Sequence, residues 1–102
     1  MEKNRPHYLL SNIKALVARE GEHAFTFTAR QGVWAMNLTM QDAMDIIATL
    51  DHSMFFKSMT TYANHRIWQD VYHAYCPNGK TAYIKFTLNE ERPEVVIQFK
   101  EK

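Results

Sequence analysis

The chain has 102 residues, of which 46% are hydrophobic and 23% are charged, and its formal net charge is +1. This length suits one domain with a single core, and the composition excludes a disordered chain. The weak net charge also excludes the extended basic stripe that a protein needs to bind long nucleic acid through its backbone, so any RNA contact should be short and local.

The sequence offers little support for membrane, disulfide or metal chemistry. Each apolar run is only a few residues long, and no apolar segment typical of a signal peptide follows the polar residues 1–6. Cys76 is the one cysteine, so an intramolecular disulfide is excluded, and a zinc site built on it would need several converging histidines. We therefore expect a cytoplasmic protein of one domain, residues 1–102, with no metal, cofactor or membrane partner.

The N-terminal part is predicted to form a helix followed by a strand. Apolar residues recur at helical spacing over residues 8–20, and Gly21 follows as a C-cap. Phe25 and Phe27 then alternate with threonines, which predicts a strand over His23–Ala29.

A second helix is predicted after a break in the chain. Gly32 indicates that break, before a short extended piece over Val33–Met36. Thr39 and Asp42 resemble a capping box, and the apolar residues behind them predict a helix from Met40 to about Leu50.

The remainder of the chain is predicted to be a turn, a loop and a three-stranded sheet. Ser53 is expected to cap a short turn through Met54–Lys57, and Met59–His65 is expected to be a loop. Three strands follow, over Ile67–Tyr75, Thr81–Leu88 and Val95–Lys100.

Turn chemistry predicts how these strands pair. Pro77, Asn78 and Gly79 suit a three-residue hairpin loop in which Gly79 takes the left-handed position, so facing residue numbers sum to 156. A four-residue loop over Glu90–Pro93 joins the other pair. The predicted fold is α+β: a curved antiparallel sheet with two to three helices on one face.

The register divides the strand residues between a core face and an open face. Trp68, Tyr72 and Asp70 fall on the core parity, where Asp70 is expected to accept hydrogen bonds from loop N–H groups or to pair with an arginine. The polar residues of the open face are Gln69, His73, Tyr83, Lys85, Gln98 and Lys100, with the Lys57 segment nearby.

The open face carries groups suited to metal-free RNA cleavage. Such cleavage needs proton transfers and positive charge on the phosphate oxygens, which lysines and a tyrosine can supply. We assign charge stabilisation to Lys57 and Lys100, proton transfer or orientation to Tyr83 and positioning to Gln69, and we leave the general base open. His73 is a further candidate base, since the imidazole pKa is near 6.5. His65, Lys85 and Gln98 are candidate RNA contacts, although Lys85 also suits an ordinary solvated strand lysine.

Two segments resemble the MqsR family of toxin ribonucleases. One is Phe55–Tyr72, which contains Phe-Phe-Lys-Ser-Met and Ile-Trp-Gln-Asp-Val, and the other is the ending Gln98–Lys102. The resemblance is loose over residues 22–51, and the chain departs from the family after Tyr72, where His73-Ala74 replaces an Arg-Pro pair.

The resemblance implies a RelE-like fold and a ribosome-independent mRNA interferase that cuts at short GC-containing triplets. It also implies a zinc-bearing antitoxin as the protein partner. The functional residues that it implies are Lys57, Gln69, Tyr83 and Lys100. The alternative is a non-catalytic module of the same fold that binds RNA or a protein, and a hydrophobic edge near Phe25 and Phe27 is a further candidate surface for the antitoxin.

Overall fold

The structure, a computed structural model, describes residues 1–89 and 91–102. Its helices and strands are, in chain order, β1 (Glu2–Lys3), α1 (Leu10–Glu20), α2 (Phe27–Ala35), α3 (Met40–Ala48), β2 (Phe55–Thr60), β3 (Trp68–Tyr75), β4 (Thr81–Asn89) and β5 (Glu94–Glu101). The strands form one antiparallel sheet in the order β1-β2-β3-β4-β5, which confirms the predicted α+β class. None of the helices in these ranges is long and apolar enough to cross a membrane.

The two predicted helices, α1 and α3, are present with their predicted caps. Gly21 ends α1 at φ 59°, and its N–H donates to the carbonyl of Val17. At the start of α3, the Thr39 hydroxyl accepts from the Asp42 N–H, and the Asp42 carboxylate accepts from the Thr39 N–H. The C-terminal end of α1 and the N-terminal end of α3 therefore have the local hydrogen bonds that their predicted caps provide.

The strand predicted over His23–Ala29 is wrong, as is the extended piece over Val33–Met36, because α2 occupies most of this region. The Thr26 side chain accepts from the Ala29 N–H and caps this helix. Phe25 is buried and forms only an isolated parallel bridge to Ile97 on β5, while Phe27 lies on the exposed side of α2. The surface near Phe25 and Phe27 is therefore not a strand edge, and an antitoxin contact there stays a prediction.

Gly32 lies in the middle of α2 and lets the helix contact β5 directly. A Cβ atom at this position would come within 2.0 Å of the Phe99 carbonyl oxygen, which is a backbone atom. The absence of a side chain is therefore what allows α2 to lie against the β5 backbone. Gly32 is therefore not a break in the chain, as predicted, but the point at which α2 comes closest to β5.

The turn predicted over Met54–Lys57 and the loop predicted over Met59–His65 are both partly wrong, because β2 runs from Phe55 to Thr60 and places Lys57 within a strand. The preceding short 3-10 turn is capped by Asp51, whose side chain accepts from the Ser53 N–H, and not by Ser53 itself. β1 then pairs with the outer edge of β2.

The C-terminal strands have the predicted register. Tyr83 pairs with His73 on β3 and with Lys100 on β5. The turn is closed by the Cys76 N–H, which donates to the Lys80 carbonyl, and Gly79 has φ 84°, as the predicted loop requires. The predicted Glu90–Pro93 loop includes Glu90, which lies outside the described residues.

The core face of the sheet packs in one cluster with buried residues of all three helices. Asp70 is buried within this layer and is fully hydrogen-bonded. Its carboxylate accepts from the backbone N–H groups of His7 and Tyr8 and from the Ser58 hydroxyl. Asp70 therefore ties the N-terminal segment to β2 and β3, as expected of a residue that accepts loop N–H groups.

Candidate active site

The candidate site residues on the open face lie in two adjacent rows that run across the sheet. In one row, Lys57, Val71, Lys85 and Gln98 are successive register partners on β2, β3, β4 and β5. In the other row, His73, Tyr83 and Lys100 are successive partners on β3, β4 and β5. Directly paired residues project to the same side of a sheet, so these side chains share one surface.

Helix α2 forms the second wall of a cleft over this surface. The cleft has a volume of ≈ 630 Å³. Its sheet side is lined by Tyr83, Lys85, Gln98 and Lys100, and its helix side by Thr28, Gln31, Gly32 and Ala35. Because Gly32 has no side chain, the helix backbone lies close to the strands here.

Tyr83 and Lys100 interact directly at the centre of the site. The Lys100 ammonium lies 5.2 Å from the centroid of the Tyr83 ring, which is within the range of a cation–π contact. Lys100 is exposed and Tyr83 is half-buried. The pair therefore presents an exposed positive charge beside a phenol that is held by the sheet.

Lys85 lies in a more strongly perturbed environment than a solvated strand lysine. Its burial lowers the pKa of the ammonium group, and the nearby positive charges of Lys100 and Lys57 lower that pKa further. Desolvation and like charges both favour the neutral amine, which is the form that can accept a proton. Lys85 therefore loses its proton more easily than a fully solvated strand lysine.

Lys57 is held by an ion pair. Its ammonium lies 2.8 Å from the Glu2 carboxylate on β1. Lys57 donates a hydrogen bond to the Glu2 carboxylate, and this bond raises the pKa of Lys57 and lowers the pKa of Glu2. Lys57 is therefore firmly cationic, which suits phosphate binding and not proton abstraction.

His73 is half-buried between two aromatic rings. Its ring stacks on Phe56 at 4.3 Å and lies 5.3 Å from the Tyr83 ring. Its Nε2 atom is buried and has no hydrogen-bond partner within the described part of the chain. Burial lowers the pKa of His73, and the charge of Lys102 lowers it further.

Four predicted site residues, Lys57, His65, Gln69 and His73, are not among the residues that line the cleft. Gln69 is on the open face, paired with Met59 on β2, but it is not among the cleft-lining residues. His65 lies in the exposed loop between β2 and β3, beside Tyr62 and the N-terminal methionine. The structure thus brings Tyr83, Lys85, Gln98 and Lys100 together and separates His65 from them.

Sequence reasoning missed three contributors to this surface. The sequence pattern predicts a strand and an extended piece where α2 lies, and it does not single out Glu2 or place Phe56 on the open face. Thr26 as an N-cap residue, with the helix formers Ala29, Arg30 and Gln31 behind it, was a usable signal for α2. Within residues 1–89 and 91–102, no three His, Cys, Asp or Glu side chains converge as a group that could hold a metal ion.

Comparison with known proteins agrees with the sequence resemblance. The profile of the family described as "Motility quorum-sensing regulator, toxin of MqsA" matches residues 5–101. The chain is also 38% identical over 102 residues to the mRNA interferase toxin MqsR of Escherichia coli K12, covering all of both chains. These matches include every residue that lines the cleft.

Proposed function

The chain belongs to the MqsR family of toxins, and we propose that the cleft between α2 and the open sheet face carries its catalytic activity. The protein is an mRNA interferase, which is a kind of endoribonuclease. Its substrate is mRNA, and its protein partner is an antitoxin. The observation that carries the proposal is the cleft itself, where Tyr83, Lys85 and Lys100 meet on paired strands.

The proposed reaction is an intramolecular transfer at phosphorus. The 2′ oxygen of one nucleotide loses its proton to a base and attacks the adjacent phosphorus. The bond to the 5′ oxygen of the next nucleotide breaks, and that oxygen takes up a proton and leaves as a 5′ hydroxyl. The other product ends in a 2′,3′-cyclic phosphate. The RNA itself supplies the nucleophile and the leaving group, so the protein side chains need to supply only proton transfers and charge stabilisation.

The roles follow from the environment of each residue. Lys85, whose pKa is lowered by burial and like charges, accepts the 2′ proton. Tyr83 donates a proton to the leaving 5′ oxygen, and the positive charge of Lys100 beside it stabilises the phosphate oxygens. Lys57 and Gln69, farther along the open face, position the RNA backbone.

The resemblance supports finer properties as part of the same proposal. We propose that cleavage needs neither metal nor ribosome, that it occurs at short GC-containing triplets, and that the antitoxin carries zinc. The substrate supports action in the cytoplasm, where mRNA is translated. The whole activity is proposed to reside in one domain, residues 1–102.

The test is cleavage of a ribosome-free mRNA by the purified protein in EDTA, with fragment ends mapped and assayed for cyclic phosphate. We expect defined cuts with cyclic-phosphate and 5′-hydroxyl ends. Lys100→Ala should slow cleavage about 100- to 1000-fold, the usual cost of removing one electrostatic donor. Lys14→Ala, which removes the same charge from α1, should leave the rate unchanged. Intact RNA or fragments with 5′-phosphate ends would overturn the proposal.

A further inference from the structure

A β-bulge in β2 changes which side chains reach the open face. Phe55 pairs with Tyr72 and Lys57 pairs with Val71, so Phe56 is an extra residue inserted between the two pairs. In a regular strand Phe55 and Lys57 would project to the same face. With the bulge, the Phe55 ring packs 5.5 Å from the Tyr72 ring on the core face, while Lys57 lies on the open face. Bulges commonly re-aim side chains beside functional sites.

The inserted residue, Phe56, begins a row of stacked groups that leads to the cleft. The Phe56 and His73 rings are 4.3 Å apart and only 25° from parallel. His73 is next to Tyr83, and Tyr83 is next to the Lys100 ammonium. Phe56 on β2 and Tyr83 on β4 are two strand spacings apart, roughly 10 Å. The row therefore connects Phe56 to the reacting centre over a distance that a neighbouring nucleotide can span.

Phe56 remains half exposed although it stacks on His73. Its relative exposure is 50%, so the ring covers His73 and still presents a large area to solvent. Two cations lie near the ring: the Lys57 ammonium is 5.5 Å from its centroid, and Lys102 lines the same depression as Phe56 and His73. An exposed aromatic ring with two cations nearby suits an unpaired base and its flanking phosphates.

We propose that the open face of Phe56 is a subsite for a nucleobase of the RNA that flanks the cleaved linkage. Lys57 and Lys102 contact the backbone phosphates on either side of that base. This inference rests on the ribonuclease function proposed above, and it adds a stacking residue that neither the strand pattern nor the catalytic roles required. Its occupant is single-stranded RNA, because only an unpaired base can present its face to the ring.

The test uses an oligoribonucleotide that the wild-type protein cuts once, with a 2′-deoxynucleotide at the cleaved position so that it binds uncut. The fluorescent base 2-aminopurine is placed at each flanking position in turn. We expect stacking to quench its fluorescence at one position. Phe56→Ala should remove the quenching and weaken binding about 5- to 150-fold, the range for one stacked base.

Three controls separate stacking from folding. Phe56→Trp keeps an aromatic face and should retain quenching, whereas Phe56→Leu keeps apolar cover over His73 and should lose it. Tyr62→Ala removes a fully exposed aromatic ring from the β2–β3 loop and should change nothing. Unchanged quenching and affinity in Phe56→Ala, while the wild-type protein still cleaves RNA, would overturn this inference alone. Failure of the wild-type protein to bind or cleave RNA would overturn the proposed function and this inference together.

Discussion

The Lys57 ammonium lies 2.8 Å from the Glu2 carboxylate, so the lysine nearest the Phe56 ring is paired before RNA binds. The N-terminal strand β1 supplies that carboxylate by pairing with β2. An RNA phosphate must therefore compete with Glu2 for Lys57. The ion pair holds Lys57 in place on the open face but weakens its attraction for an anion.

Replacement of Glu2 should strengthen RNA binding. Glu2→Gln removes the competing charge, and we expect the KM for RNA to fall about two- to five-fold, the scale of an exposed ion pair. The measurement is KM and Kd at low salt, since salt screens exposed charges. Glu22→Gln, which removes an exposed carboxylate outside the cleft lining, is the matched control. Equal effects of the two variants, or weaker binding by Glu2→Gln, would contradict the expectation.

The pH dependence of cleavage should report Lys85. The base must be neutral to accept the 2′ proton, so kcat/KM should rise with pH through the pKa of Lys85, which burial, Lys100 and Lys57 lower. Lys57→Gln removes one of the positive neighbours and therefore raises the pKa of Lys85. The rising limb of the profile should then move to higher pH in this variant.

A second variant separates this account from a general electrostatic effect. Lys85→Arg keeps the positive charge but cannot lose its proton near neutral pH, so cleavage should slow about 100-fold or more. Binding of an uncleavable RNA should persist. Cleavage at the wild-type rate by Lys85→Arg would exclude Lys85 as the base. So would a pH profile of Lys57→Gln whose rising limb lies at the same pH as that of the wild-type protein.

The C-terminal strands were predictable because their sequence signals are local. Pro77, Asn78 and Gly79 each suit one position of the observed turn, and regular alternation then fixes which residues share a face. The grouping of Tyr83 with Lys85, Gln98 and Lys100 followed from that register. The same reasoning placed Asp70 on the core side.

The N-terminal half was less predictable because its signals conflict. Phe25 and Phe27 alternate with threonines over only four residues, which is too short a pattern to distinguish a strand from the start of a helix. The Thr26 side chain in fact caps α2. The bulge at Phe56 breaks the period-two pattern of β2, so the strand was missed and Phe56 was not assigned to a face. The Glu2 ion pair joins residues far apart in sequence, which no local pattern reports.

The close approach of α2 to β5 makes a stability prediction. In Gly32→Ala the new Cβ would meet the Phe99 carbonyl oxygen at 2.0 Å, so the helix must move away from the strand. We expect the free energy of unfolding to fall by about 3 kcal/mol, and cleavage to weaken because the cleft wall shifts. Urea titration measures the first effect. Thr28→Ala on the exposed side of α2 is the control, and similar stabilities of the two variants would contradict the described packing.

The buried Asp70 carboxylate makes a second stability prediction. The backbone N–H groups of His7 and Tyr8 and the Ser58 hydroxyl all donate to the Asp70 carboxylate. Asp70→Asn replaces one acceptor oxygen by an NH₂ group, which is itself a donor and cannot accept these hydrogen bonds. Loss of hydrogen bonds to a buried charged acceptor should lower the free energy of unfolding by about 1.5–3 kcal/mol. Asp45→Asn, at an exposed position on α3, should change it little, and an equal loss in both variants would contradict the role of Asp70.

The most direct test of the central claim is the single-turnover cleavage rate of Tyr83→Phe, measured beside its affinity for an uncleavable RNA. This variant removes one hydroxyl from the cleft and leaves the ring beside Lys100, while Tyr62→Phe removes a hydroxyl from an exposed loop. We predict that Tyr83→Phe slows cleavage at least about 100-fold with little change in Kd, and that Tyr62→Phe matches the wild-type protein. Cleavage at the wild-type rate by Tyr83→Phe would contradict catalysis by this hydroxyl, and RNA binding without cleavage by the wild-type protein would favour a non-catalytic binding module.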